Sequence, residues 1–230
     1  MTSQRPTRAT ARLAEADSVV VLGLGRFGRS LAEELMRLDV DVLGVDRDPE
    51  IVQQYSTKLT RVVQADTTSE DALRQIGVHE FDRVVVGIGS DIEASLLTAS
   101  LVLQFDTAQV WAKAISDAHG RILGQLGVEH IVHPEAEMGR RVAHLVRGAM
   151  LDYVEFDDDF AMVRTTPPAQ AIDKPLSEAG LRREFGVTVI AVRPAGGGWT
   201  YAARDTVLRA GDQVIVTGPT RKAERFALLG

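Results

Sequence analysis

The chain has 230 residues, 45% of them hydrophobic and 25% charged, an ordinary balance for one large or two small globular domains. It has no cysteine, which excludes thiol catalysis, disulfide frameworks and cysteine-ligated zinc, and fits a reducing compartment. A net charge of −6 argues against non-specific nucleic-acid binding, so no nucleic-acid partner is expected.

Residues 1–17 carry Arg5, Arg8 and Arg12 but no apolar core, so they read as a flexible tail and not a secretory signal. Residues 18–133 then alternate strand and helix. Apolar runs at 19–22, 42–45, 62–64, 83–86, 110–114 and 130–132 predict strands, with helical patterns at 30–38, 50–55, 70–76, 92–104 and 119–126. Short, valine-rich, continuously apolar strands are those of a parallel sheet covered by helices on both faces. The fold class predicted is therefore α/β, a Rossmann-like doubly wound parallel sheet followed by a small α+β domain. Helix starts are marked by Asp48-Pro49 and by Thr68-Ser69 ahead of Glu70 and Asp71, and helix ends by Gly77 and Gly127. None of the apolar runs approaches the length needed to cross a bilayer.

Pro134 opens a helix expected to run to about Leu151, with Met138, Val142, Leu145, Val146, Ala149 and Met150 in one apolar stripe. A connecting or dimerisation helix over 134–151 fits that stripe. Residues 152–230 form the smaller domain. Strands are predicted at 153–156, 160–165, 188–193 and 213–217, an acidic turn at Asp157-Asp158-Asp159, a helix over 176–185 broken at Gly180, and a closing helix over 220–228.

The most informative motif is Gly23-Leu24-Gly25-Arg26-Phe27-Gly28, set between the first strand and the first helix. Glycines at such a turn let backbone N–H groups approach phosphates, and Asp46, closing the second strand, is placed to accept hydrogen bonds from a ribose. Asp46 favours ATP, ADP or NAD(H) over NADP, whose 2′-phosphate it repels; Arg47 beside it softens that exclusion. Arg26 adds a permanent positive charge inside the phosphate loop. Ala65-Asp66-Thr67 and Gly87-Ile88-Gly89 follow the third and fourth strands and are expected at the same edge of the sheet, with Asp66 either contacting adenine or capping a helix. Lys113, ending the fifth strand, suits either a phosphate or a surface salt bridge. Glu135 lies in the first turn of the helix after Pro134, where the dipole alone favours a carboxylate. The five histidines show no acid–base or metal-ligand spacing, so no catalytic residue is named and an enzyme is not expected; an NAD-dependent oxidoreductase is the distant alternative.

On Gly23 to Gly28, Val45-Asp46, Ala65-Asp66-Thr67, Ile131 to Glu135 with Met138-Gly139, and Leu208 to Asp212, residues 18–229 resemble the RCK-type cytosolic subunits of Ktr/Trk potassium uptake systems, in their single-unit Ktr form. The resemblance implies a cytoplasmic regulatory subunit on the inner face of the membrane, whose homodimers assemble into an octameric ring beneath a membrane-embedded potassium channel. ATP would favour the conducting form and ADP the closed one; an NAD(H)-sensing regulator is the nearest alternative. It further implies that the glycines and Asp46 hold phosphates and ribose, that Arg26 reaches a terminal phosphate of the neighbouring subunit, and that Glu135 binds a cation (Mg²⁺, Ca²⁺ or Na⁺) near the phosphates. Some members bind cyclic di-AMP in the C-terminal half. The segment Tyr201-Ala202-Ala203-Arg204-Asp205 departs from that pattern in lacking a proline before Thr206.

Overall fold

The computed structural model of the protein describes residues 18–105, 109–148, 150–156 and 159–230. The tail at 1–17, Ala149 of the apolar stripe, and Asp157 and Asp158 of the acidic turn lie outside the described residues. The chain divides into two units, one up to Glu135 and one from Ala136 onward.

Six strands form the first unit: β1 (Ser18–Leu22), β2 (Asp41–Asp46), β3 (Arg61–Gln64), β4 (Arg83–Val86), β5 (Gln109–Lys113) and β6 (His130–Val132). They pair in parallel in the order β3-β2-β1-β4-β5-β6, the doubly wound order, which reverses direction between β1 and β4. The helices between them are α1 (Arg26–Arg37), α2 (Pro49–Tyr55), α3 (Glu70–Ile76), α4 (Ile92–Leu103) and α5 (Asp117–Leu126), with a short 3₁₀ turn at Val78–Glu80 that the sequence pattern does not announce.

Alternation along each strand sends side chains to two separate cores. Val20, Leu22, Val84, Val86 and Ala112 pack with Leu73, Ala99, Val102 and Leu123 on one face. Val19, Val21, Val42 and Val85 pack with Leu24, Ala32, Tyr55 and Leu59 on the other. Each fully buried valine or leucine contributes roughly 1.5–3 kcal/mol relative to exposure. The marked helix starts are realised. Asp48 accepts from the Glu50 N–H, Ser69 from Ala72, and Gly77 and Gly127 close α3 and α5 with φ of +86° and +106°.

Helix α6 (Pro134–Arg147) ends four residues short of the expected Leu151. Gly148 follows it, and the Leu151 N–H already donates to the Arg164 carbonyl of the next sheet. No described residue of α6 is buried; Met138, Val142 and Val146 are exposed, and Leu145 packs against the core of the second unit.

The second unit is an antiparallel sheet of β7 (Asp152–Phe156), β8 (Phe160–Thr165), β9 (Thr188–Arg193), β10 (Thr200–Tyr201) and β11 (Gln213–Pro219), in the order β10-β9-β11-β8-β7. Helices α7 (Leu176–Ala179), α8 (Leu181–Phe185) and α9 (Thr220–Ala227) complete it, and Gly180 separates α7 from α8 at φ +62° as expected. Its core joins Val163, Val214 and Val216 of the sheet to Leu181, Ala223 and Phe226 of the helices. His144 of α6 stands 2.5 Å from the Glu224 carboxylate of α9 and stacks on the Tyr153 ring.

Candidate functional site

Leu22 ends β1 and Gly23 turns the chain at φ +92°, its N–H donating to the Val45 carbonyl at 2.8 Å. A side chain at Gly28 would place its Cβ 1.9 Å from the Gly23 carbonyl oxygen, and one at Gly87 would come to 2.9 Å of the same atom. These three glycines let the β1 turn, α1 and the end of β4 approach one another closely. Gly25 is different: a Cβ there would meet nothing within 4 Å. It faces open space over the N-terminus of α1.

Four helices of this unit start on an Asp or Ser side chain that accepts a backbone N–H: Asp48, Ser69, Asp91 and Ser116. Helix α1 starts on Gly25, with no side-chain cap and no acidic residue in its first turn. Its leading N–H groups have no side-chain acceptor from the cap, and the helix dipole favours an anion there.

That N-terminus opens on a cavity of about 590 Å³ at the carboxyl ends of the strands, across the point where strand order reverses. Gly23, Gly25, Arg26, Phe27, Asp46, Arg47, Asp66, Thr67, Gly89, Lys113 and Glu135 all line it. Gly28 does not; it lies beneath the loop against Gly23 and shapes it from below. The wall also includes Asp48, Ile51, Ser90, Asp91, Ala94 and Ile115, which the motif does not point to. Asp91 is legible in the sequence as the first charged residue after the fourth-strand turn. Ile51 and Ile115 carry no chemical signal and enter only through the packing of their elements.

Asp46 is held from two sides. Its Oδ2 accepts from the Leu24 N–H at 2.7 Å and its Oδ1 from the Asp48 N–H at 2.9 Å. Asp66 Oδ1 accepts from both the N–H and the hydroxyl of Thr68, at 2.9 and 2.7 Å. Those bonds hold the Asp66 carboxyl below its usual range, the hydroxyl contributing most. The Thr98 hydroxyl donates to the Thr67 hydroxyl at 2.9 Å, tying the third-strand turn to α4. Arg47 reaches to 3.7 Å of Asp91.

At the other end Lys113, only 8% exposed, donates from Nζ to Glu135 Oε1 at 2.7 Å. That bond is the main reason the Glu135 carboxyl lies below its ordinary range; the nearby Arg26 charge adds to it. Three cationic side chains (Arg26, Arg47, Lys113) and five carboxylates (Asp46, Asp48, Asp66, Asp91, Glu135) thus share the wall. Acidic side chains therefore outnumber basic ones on this wall. Among the described residues no group of three or more His, Asp or Glu side chains could hold a metal by itself, so a cation there would take ligand oxygens as well.

The histidines stay outside the cavity. His119 is buried, accepts the Ile115 N–H at Nδ1 and leaves Nε2 without a partner. Burial first, and the charge of His133 second, hold its imidazole below the ordinary range.

Sheet order, glycine turn and cavity define a nucleotide-binding domain of the dinucleotide-fold class, followed by a small antiparallel module. The TrkA-N domain family matches residues 19–134 and the TrkA-C domain family residues 160–229, and the chain belongs to this RCK regulatory family. It is 32% identical to Ktr system potassium uptake protein A of Bacillus subtilis, over 90% of this chain and 93% of that protein. It is 30% identical to the Ktr system potassium uptake protein A of Vibrio alginolyticus, over 88% and 92%. The solved structure of the GsuK channel bound to NAD superposes on 94% of this chain with a TM-score of 0.64 at 17% identity; this chain spans 40% of that one, and the likeness is one of fold.

Proposed function

We propose that the chain is a non-enzymatic, nucleotide-binding regulatory subunit of a membrane potassium transporter, switched by exchange of ATP and ADP. The observation that carries this reading is that Arg26 and Lys113, two cations from different elements, line the same cavity as an uncapped helix N-terminus and Asp46. A free terminal phosphate gives those cations a charge to bind, and Asp46 suits an unmodified ribose. Family membership and the two Ktr relatives supply the transport role. Glu135 with phosphate oxygens is the candidate cation site, and five wall carboxylates against three cations support the need for one.

A switch requires a ligand that binds one assembly geometry better than another. The exposed Met138, Val142 and Val146 on α6, and the exposed Ile92, Leu97, Ile122 and Leu126 on α4 and α5, support two separate contact surfaces, as a ring of dimers needs. No described helix is long and apolar enough to cross a membrane, so in this reading the subunit works from the cytoplasmic face through its partner.

Isothermal titration of the full chain with ATP, ADP and NADH tests the reading, with ATP and ADP expected to compete for one site per chain. Arg26→Ala should weaken ATP more than ADP. Tight NADH with neither ATP nor ADP detectable would replace it by NAD(H) sensing, the second reading, which Asp46 at the end of β2 serves equally well.

A further inference from the structure

We infer that Glu135 is a built-in competitor for the phosphate that Lys113 is placed to hold, so that nucleotide binding displaces the Glu135 carboxylate and only then makes it available to a cation. The inference rests on the nucleotide reading of the cavity and adds an order of events to it.

Lys113 and Glu135 are unequal partners. Lys113 is buried as a residue at the end of β5, where it lines the cavity, and a Cβ at Gly89 would lie 3.2 Å from its Nζ. A lysine with only 10% of its side chain exposed is costly to leave without a counter-charge. Glu135, at the second position of α6, keeps 64% of its side chain exposed and returns to water at little cost. The lysine therefore stays in the cavity wall and the glutamate can be replaced.

A phosphate oxygen at hydrogen-bond distance from Nζ would serve the same ammonium and sit against the same carboxylate. Two anions that close repel unless a cation lies between them. Before nucleotide arrives, Glu135 is neutralised by Lys113 and has weak reason to bind Mg²⁺. Afterwards it has lost that partner and faces phosphate oxygens, the ligand set a hard divalent cation prefers.

Calorimetric titration of the full chain with ADP in EDTA separates competition from cation binding. Glu135→Gln should tighten ADP by about three- to tenfold, the scale of a partly exposed charge-assisted pair. In the Lys113→Gln background the same substitution should change affinity little. With Mg²⁺ added, the metal should strengthen ADP binding in the wild type and much less in Glu135→Gln. Wild-type ADP binding that Glu135→Gln leaves unchanged or weakens in EDTA overturns the competition. An equal gain in the Lys113→Gln background also overturns it, because simple repulsion would then explain the effect. If the wild type binds no adenine nucleotide, the reading of the cavity fails first, before any variant is made, and the inference goes with it.

Discussion

Asp46 and Leu24 are joined by a 2.7 Å hydrogen bond from the Leu24 N–H to the Asp46 carboxylate, so the residue expected to meet a ribose also holds the glycine turn to the end of β2. The same carboxylate accepts from Asp48 through its other oxygen. Asp46→Asn keeps one acceptor oxygen and turns the other into a donor facing an N–H. It should lower unfolding free energy by about 1–2 kcal/mol in the ligand-free protein, as well as weakening nucleotide binding. Urea denaturation without ligand checks this; unchanged stability would mean the carboxylate serves ligand alone.

Gly25 and Gly28 should separate binding from folding. Gly28→Ala drives a methyl into the Gly23 carbonyl, so it should cost several kcal/mol or yield little folded protein. Gly25→Ala meets open space and should leave stability within about 0.5 kcal/mol. Because that methyl enters the cavity above the α1 N-terminus, ADP affinity should nonetheless fall, by titration, at least severalfold. Parallel melting and binding curves of the two variants decide it.

His119 gives the first unit an acid-sensitive point. Its imidazole is held below the ordinary value of 6.5 mainly by burial, so the unfolded chain binds a proton more readily than the folded one. The associated stability is present above about pH 6.5 and is lost as pH falls through the depressed folded value. Denaturation midpoints between pH 7.5 and 5 should drop in the wild type. They should flatten in His119→Leu once the change common to other groups is subtracted.

Tyr153 acts at the other extreme. Burial, then the Glu155 and Glu224 carboxylates, raise its phenol to about 12. A raised folded value means stability is intact below pH 10 and is lost as pH rises towards 12, by about 3 kcal/mol at most. Ultraviolet titration of the phenolate alongside alkaline unfolding checks the window, and Tyr153→Phe should remove that component.

The first unit is largely legible because its strands are short apolar runs rich in valine, and helix starts such as Asp48-Pro49 and Ser69 carry their own chemistry. The glycine motif located the phosphate end. What could not be read is pairing between elements far apart in the chain. A salt bridge is one of the two readings of Lys113, but its partner is not legible, and only the folded sheet brings Glu135 to 2.7 Å of it. The two hydrogen bonds of Asp46 likewise depend on the β1–β2 register. In the second unit β10 is not legible in the sequence because it is two exposed residues paired with β9, with no apolar run to announce it. The end of α6 was overextended because the apolar stripe continues past Gly148 into Met150, which is buried by the neighbouring core and not by the helix.

The cavity wall draws on turns after β1, β2, β3 and β4 and on the last residue of β5, which lie side by side only when the whole parallel sheet has assembled. A partly folded chain therefore offers no fragment of it with useful affinity. Bound ligand should then protect the unit as one block, slowing proteolysis and amide exchange from β3 across to β5 together, with a gain that grows logarithmically with ligand concentration.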